Sequence, residues 1–293
     1  MNKVYEVAGH LFALRMAEDR PEWAQLTNYQ PFETDSAKAP LFTLTVSESQ
    51  EDEPGELVLD PETEKGEAVI KVFRTAGGWK FEMAVCDDYP VCARMLASED
   101  FSAASLVMLS NSLRMRVFAI NNSLMLLYAF CTAGLDTLEM HASVVKNDGR
   151  GYLSLGHSGA GKSTHSRQWL EHIPGSTLLN DDNPIIRFAP DGVLTVYGSP
   201  WSGKTTCYVN DSCPVGVFIC IHQAPHNKIT LMPVFEAYAA IYSSCSGLKF
   251  ESAAADGIHS TIEKTVLSVP CWSLECRADR EAALVCSEAV KNA

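Results

Sequence analysis

Eight consecutive residues limit what this chain can fold into more than any other feature: Gly156-His157-Ser158-Gly159-Ala160-Gly161-Lys162-Ser163 fits the pattern G-x-x-x-x-G-K-[ST]. The glycines let successive backbone N–H groups converge on phosphate oxygens, and the helix that follows such a loop aims its positive end at them. Lys162 is expected to reach the outer phosphates and the Ser163 hydroxyl to ligate Mg²⁺. The flanks agree, because 151–155 reads as a strand and 162–172 as a helix. A strand, a glycine-rich loop and a helix predict an α/β domain with a nucleotide-phosphate site. Its expected contacts are Gly156, Ser158, Gly159, Ala160, Gly161, Lys162, Ser163 and Thr164.

The pattern occurs again at Gly198-Ser199-Pro200-Trp201-Ser202-Gly203-Lys204-Thr205. Here Pro200 removes an N–H donor, and Asn210-Asp211-Ser212-Cys213-Pro214 leaves no room for a helix, so this is a false match to a phosphate loop. The turn can still line the site from another side. Lys204 reads equally well as a phosphate or substrate contact and as a solvated turn residue.

Asp181 and Asp182 end the strand expected after the 162–172 helix. Strands of such a sheet deliver their C-terminal ends to the ligand crevice. Phosphoryl transfer uses one carboxylate to hold Mg²⁺ and often a second to take the proton of an attacking hydroxyl. Neighbouring strand residues point to opposite faces, so both can serve only where the strand ends or bends, which Pro184 favours. His141 precedes a predicted hairpin, 142–146 and 151–155 joined at Asn147-Asp148-Gly149-Arg150, that can return it to the same end of the sheet. Alone, a single histidine more often packs or hydrogen-bonds than ligates. His157, His165, Arg167 and His172 receive no role.

Met140-His141-Ala142-Ser143, the hairpin, Gly156 to Thr164 (GHSGAGKST) and Leu178-Leu179-Asn180-Asp181-Asp182 together resemble the nucleotide-binding core of HPr kinase/phosphorylase and ATP-dependent phosphoenolpyruvate carboxykinase. The stretches 197–203 (YGSPWSG) and 269–274 (VPCWSL) look like HPr-kinase-related proteins. The resemblance covers 141–280, and it implies a mixed-sheet P-loop kinase domain. It implies Lys162 on the β- and γ-phosphates, Ser163 and Asp182 on the metal, Asp181 as the carboxylate that activates a hydroxyl, and His141 as a second metal or substrate contact. ATP and Mg²⁺, or Mn²⁺ in its place, are the implied cofactors.

Lys and Arg number 23 against 36 Asp and Glu, a net charge of −13, which argues against nucleic acid or an anionic membrane as partner. Residues 1–140 hold 11 basic and 22 acidic side chains and 141–293 hold 12 and 14, so the excess lies outside the expected nucleotide domain. Nine of the acids fall in 47–67, read as an exposed loop with a short strand at 56–59. The 10 cysteines show no C-x-x-C pair and no zinc spacing. No signal peptide is apparent, and the most apolar stretch, 124–135, is too short to cross a bilayer. A cytoplasmic protein is expected.

Before the nucleotide domain, 5–15, 41–46, 68–74 and 79–85 read as strands, the last two joined at Ala76-Gly77-Gly78, and 102–138 as helical. After it come strands at 177–180, 185–188, 193–197, 215–222 and 228–233, a helix at 235–244, a strand at 266–276 broken by Pro270, and a closing helix at 279–290. The expected fold is α/β: a β-rich N-terminal domain with a helical connection (1–113) and a mixed-sheet P-loop kinase domain (114–293). The leading functional expectation is transfer of the γ-phosphoryl of ATP to a hydroxyl, serine above all, of a protein, peptide or small molecule. A non-catalytic ATP-binding regulatory module and a carboxykinase-like lyase stand as alternatives. Self-association is left open.

Overall fold

The computed structural model describes residues 1–49, 52–61, 66–203 and 205–291, and every count below is of these. It is mixed α/β with two mixed sheets, in two units, Met1–Cys131 and Thr132–Ala293.

In the first unit, β1 (Asn2–Val7) and β2 (His10–Arg15) form a hairpin where one strand over 5–15 was expected. Ala8 and Gly9 both have positive φ (50° and 75°), the two-residue turn whose twist suits paired strands. Next come β3 (Phe42–Ser47), β4 (Gly55–Leu59), β5 (Val69–Thr75), β6 (Gly78–Ala84), β7 (Ala93–Ser98) and β8 (Ala103–Met108). The order is β1-β2-β3-β8-β7-β6-β5-β4, with β3 parallel to both its neighbours. The expected helix over 102–138 is divided: 103–108 joins the sheet as β8, and α1 spans Leu113–Thr132. Every helical turn of apolar residues from Leu106 onward was available, yet pairing with β3 and β7 claimed the first part.

All of α1 but Thr132 falls within the first unit. Side chains along its length account for this. Arg116 Nε lies 3.2 Å from the buried Glu22, Asn28 donates to Asn121 at 2.9 Å, and Tyr128 donates to the Val7 carbonyl at 3.0 Å. Phe130 stacks on Phe81, and Phe12 on Phe42, in an aromatic core where each fully buried ring contributes about 2 kcal/mol. The acidic segment is engaged in part: Asp52 is 3.1 Å from Arg94, and Glu53 accepts from the Gly77 amide at 2.8 Å.

The second unit runs β9 (Thr137–Glu139), β10 (Ala142–Asn147), β11 (Arg150–Leu155), α2 (Lys162–His172), β12 (Thr177–Asp182), β13 (Ile185–Phe188), β14 (Leu194–Tyr197), β15 (Ser212–Gln223), β16 (Lys228–Leu231), α3 (Val234–Ser244), α4 (Ser252–Ser268), β17 (Cys271–Cys276) and α5 (Arg280–Val290). The β10–β11 hairpin forms as expected, turning at Asp148 and Gly149, both at positive φ. The expected strand over 266–276 is corrected at its start: 266–268 ends α4, and Pro270 separates it from β17. α4 itself was not expected. Its Gly257 sits so close to the Ala133 carbonyl that a Cβ would stand 2.4 Å away, so packing requires a glycine at a position where glycine lowers helix propensity.

The sheet runs β12-β10-β11-β15, then β17 and β16 on one branch and β14-β13-β9 on the other. Strand residues alternate between two apolar layers. Val144, Phe218 and Cys220 pack with Ile241 and Ile258 of α3 and α4, while Val145, Val217 and Ile219 pack with Trp169 of α2 and Ala283 of α5. No described helix is long and apolar enough to cross a membrane.

Candidate functional site

Strand directions assemble the site. β10 is antiparallel to both β11 and β12, and β15 and β17 run parallel to β11. Four C-terminal strand ends and the start of β10 therefore share one edge. Along that edge the order is Asp181 and Asp182 (end of β12), His141 (before β10), the 156–163 loop (after β11), Gln223 (end of β15) and Arg277 (after β17).

The loop leaves β11 at Gly156, whose φ of 147° and close neighbours (a Cβ would meet Ala160 at 2.9 Å) exclude other residues. Gly159 and Gly161 are also at positive φ, and Gly161 caps α2, which starts at Lys162 as expected. Lys162 donates to the carbonyls of Gly156 (2.9 Å) and His157 (3.2 Å). Burial holds its ammonium below the usual lysine range, and Asp182 and Asp181 pull the other way. Ser163 is exposed in the first turn of α2, where backbone N–H groups have no partner within the helix.

A register shift between Val144 and Val145 re-aims the end of β12. Asp181 pairs with Ser143, whose hydroxyl bonds that of Ser166 on α2 (2.7 Å), so Asp181 faces α2 and is buried. Asp182 turns out at φ 132°, a strained value for a residue with a side chain, and lies 3.5 Å from His141 Nε2, both partly open to solvent. The strand bend that two adjacent carboxylates require is thus present.

The second glycine motif carries no helix after it, in keeping with its reading as a false phosphate loop. It folds onto the aspartates: Gly203 N donates to Asp181 O (2.7 Å), and Ser202 bridges Asp182. Lys204 lies outside the described residues.

Sequence reasoning missed several residues. A cleft of about 330 Å³ opens beside the loop, lined by Gly159, Thr164, Gln168, Gln223 and Arg277 among others. Gln223 donates to Gly159 O (2.9 Å), and Arg277 is held flat by Asp279 (2.8 Å) and Glu281 (2.6 Å). No short motif marks these positions. Asn180 was also passed over, although a polar residue after Leu178-Leu179 in a buried strand was a signal. His165, unassigned before, is buried and accepts from Trp169 Nε1 (3.0 Å), and burial pushes it down to about 4, so it packs as a neutral ring.

Hard oxygen donors at the edge, the Ser163 hydroxyl and the Asp181 and Asp182 carboxylates, suit Mg²⁺, which takes one or two carboxylates and fills its shell from phosphate and water. Among the described residues no three His, Cys, Asp or Glu side chains form a cage for a metal ion.

No protein-family model matches the chain, and a search of curated proteins finds no match. Among solved structures, the chain is similar to the Hpr(Ser) kinase/phosphatase from Coxiella burnetii, with 15% identity over 53% of this chain and 88% of that one, at a TM-score of 0.32. At that level the likeness carries no statement about activity.

Proposed function

We propose that this chain is an ATP- and Mg²⁺-dependent phosphotransferase that moves the γ-phosphoryl group to a hydroxyl, serine above all, of a protein, peptide or small molecule. One observation carries the reading: the 156–163 loop, His141 and the Asp181-Asp182 pair meet at one sheet edge, with both carboxylates acting on Lys162. Nucleotide binding by itself calls for the loop and a metal-holding carboxylate, and the second, buried carboxylate is what transfer to a hydroxyl adds.

In this proposal the loop amides and the N-terminus of α2 hold the phosphates, and Lys162 leaves the loop carbonyls to offset charge on the transferred group. Ser163 and Asp182 would hold the metal, which would supply charge neutralisation on the phosphates. Asp181, shielded from bulk water, accepts the hydroxyl proton as the acceptor oxygen bonds to γ-phosphorus and the bond to the β-bridging oxygen breaks, releasing ADP. His141 orients Asp182 or the acceptor. The cleft beside Gly159 is sized for the nucleoside, with the Arg277 plane as a stacking surface.

Incubation with γ-labelled ATP, Mg²⁺ and cell extract tests the reading. Label transferred to an acceptor, and lost in Asp181→Asn, is the expected result. Tight ATP binding without transfer or hydrolysis would replace it with a regulatory module, and nucleotide-dependent CO₂ exchange into oxaloacetate with a lyase.

A further inference from the structure

The second glycine motif, Gly198 to Thr205, is unexplained by phosphate binding, yet it is built tightly onto the catalytic edge. Asp182 pairs with Ala142 of β10 on one side and with Ser202 on the other. The aspartates therefore stand between the phosphate loop, two strands away, and residues 199–203. A phosphoryl group held by the loop has the aspartates on one flank, and the acceptor must approach from beyond them.

What fixes 199–203 there is a buried amide. Asn180, with no solvent exposure, donates through Nδ2 to Ser199 Oγ (3.2 Å) and to the Trp201 carbonyl (3.1 Å), while its Oδ1 accepts from Asn183 N (3.0 Å). The Ser199 hydroxyl, equally buried, donates to Asn183 O (2.6 Å) or Trp201 O (3.0 Å) and accepts from Trp201 N (3.2 Å). One side chain thus ties together the residues on both sides of the Asp181-Asp182 pair and the segment facing it. Its geometry holds Asp182 at φ 132°, a conformation that persists only where the surroundings over-determine it. The glycines now have a reason as well: a Cβ on Gly203 would stand 3.1 Å from the Asp182 carboxyl carbon, and one on Gly198 would stand 1.9 Å from Val209 O.

We infer that residues 199–203 form the acceptor-side wall of the site and that Asn180 is the positioning residue that locks this wall onto Asp181 and Asp182. The inference rests on the phosphotransferase reading. Phosphoryl transfer depends on the lock, and nucleotide binding, on the far side of the aspartates, does not.

The test compares Asn180→Ala with the unaltered full chain by amide hydrogen exchange, by calorimetry with Mg²⁺ and the non-hydrolysable analogue AMP-PNP, and by release or transfer of the γ-phosphate of ATP. Expected are exchange at least tenfold faster at the amides of Asn183, Trp201 and Gly203 together, unchanged exchange in α2, AMP-PNP affinity within twofold, and kcat at least tenfold lower at constant KM for ATP. Unchanged exchange at Trp201 and Gly203, or retained kcat, overturns the inference. If Asn180→Ala does not fold, Ser199→Ala removes only the hydroxyl link and is read in the same way, and Ser199→Thr, which keeps the hydroxyl, restores turnover. Failure of the unaltered chain to bind AMP-PNP overturns the nucleotide reading alone, because the exchange pattern still decides on the lock. Binding without turnover towards any acceptor overturns the wall.

Discussion

His141 Nε2 stands 3.5 Å from Asp182 Oδ1, although 41 positions separate the two residues in the chain. The contact exists because β10 starts where β12 ends, with Ala142 opposite Asp182. In the proposed phosphotransferase this histidine orients the metal-holding carboxylate or the acceptor, and such help to proton and phosphoryl transfer is worth about 10²-fold. His141→Asn should lower kcat by about that factor and leave AMP-PNP affinity, read by calorimetry, within twofold. A parallel loss of affinity would move His141 to the nucleotide-binding side.

Lys162 makes two hydrogen bonds to its own loop, so Gly156 and His157 position its ammonium. In the proposed phosphotransferase, phosphate oxygens replace these carbonyls in a charge-assisted contact worth about 2 kcal/mol. Lys162→Ala should weaken AMP-PNP binding about 30-fold. The melting temperature should change little, since the lysine's partners are loop carbonyls with other donors available from water.

Much of the local conformation along the candidate edge was legible because its signals are local. The loop glycines, the start of α2 and the Asp148-Gly149 turn each depend on backbone conformations that few residues adopt. The hairpin also placed His141 at the same sheet edge as the 156–163 loop, since a two-residue turn fixes register. What was not legible depends on distant partners. β8 looks helical until β3 and β7 are beside it, and α4 looks poor until Gly257 meets Ala133. Gln223 and Arg277 reach the loop from β15 and β17, 60 or more positions further along the chain, and no spacing announces them.

Glu139 in β9 is fully buried, and burial, with the charge of Asp182 adding to it and Ser246 opposing, pushes its carboxyl up to about 8 from 4.5. Between those values the folded chain keeps a proton that the unfolded chain has lost. Stability should therefore fall as pH rises from about 4.5 and level off above about 8, a penalty on the order of a few kcal/mol at most. Glu139→Gln removes the titration and keeps the shape. In urea unfolding the variant should match the unaltered chain at pH 5 and exceed it at pH 9. Equal stability at both pH values would show that the carboxyl is not titrating against burial.

Arg277 presents a guanidinium plane to the cleft beside Gly159 because Asp279 and Glu281, both at the start of α5, hold two of its nitrogens. A planar cation fixed in this way is a stacking surface for a nucleobase and is poorly placed as a phosphate ligand, since its donors are committed to carboxylates. Stacking of this kind at a partly exposed site is worth about 1 kcal/mol. Arg277→Ala should therefore weaken AMP-PNP about fivefold and leave inorganic tripolyphosphate, which lacks base and ribose, within twofold. Glu281→Gln, which loosens one anchor and keeps the cation, should fall between. Equal losses for the two ligands would place the guanidinium on the phosphates, and no loss for either would put the nucleoside outside this cleft.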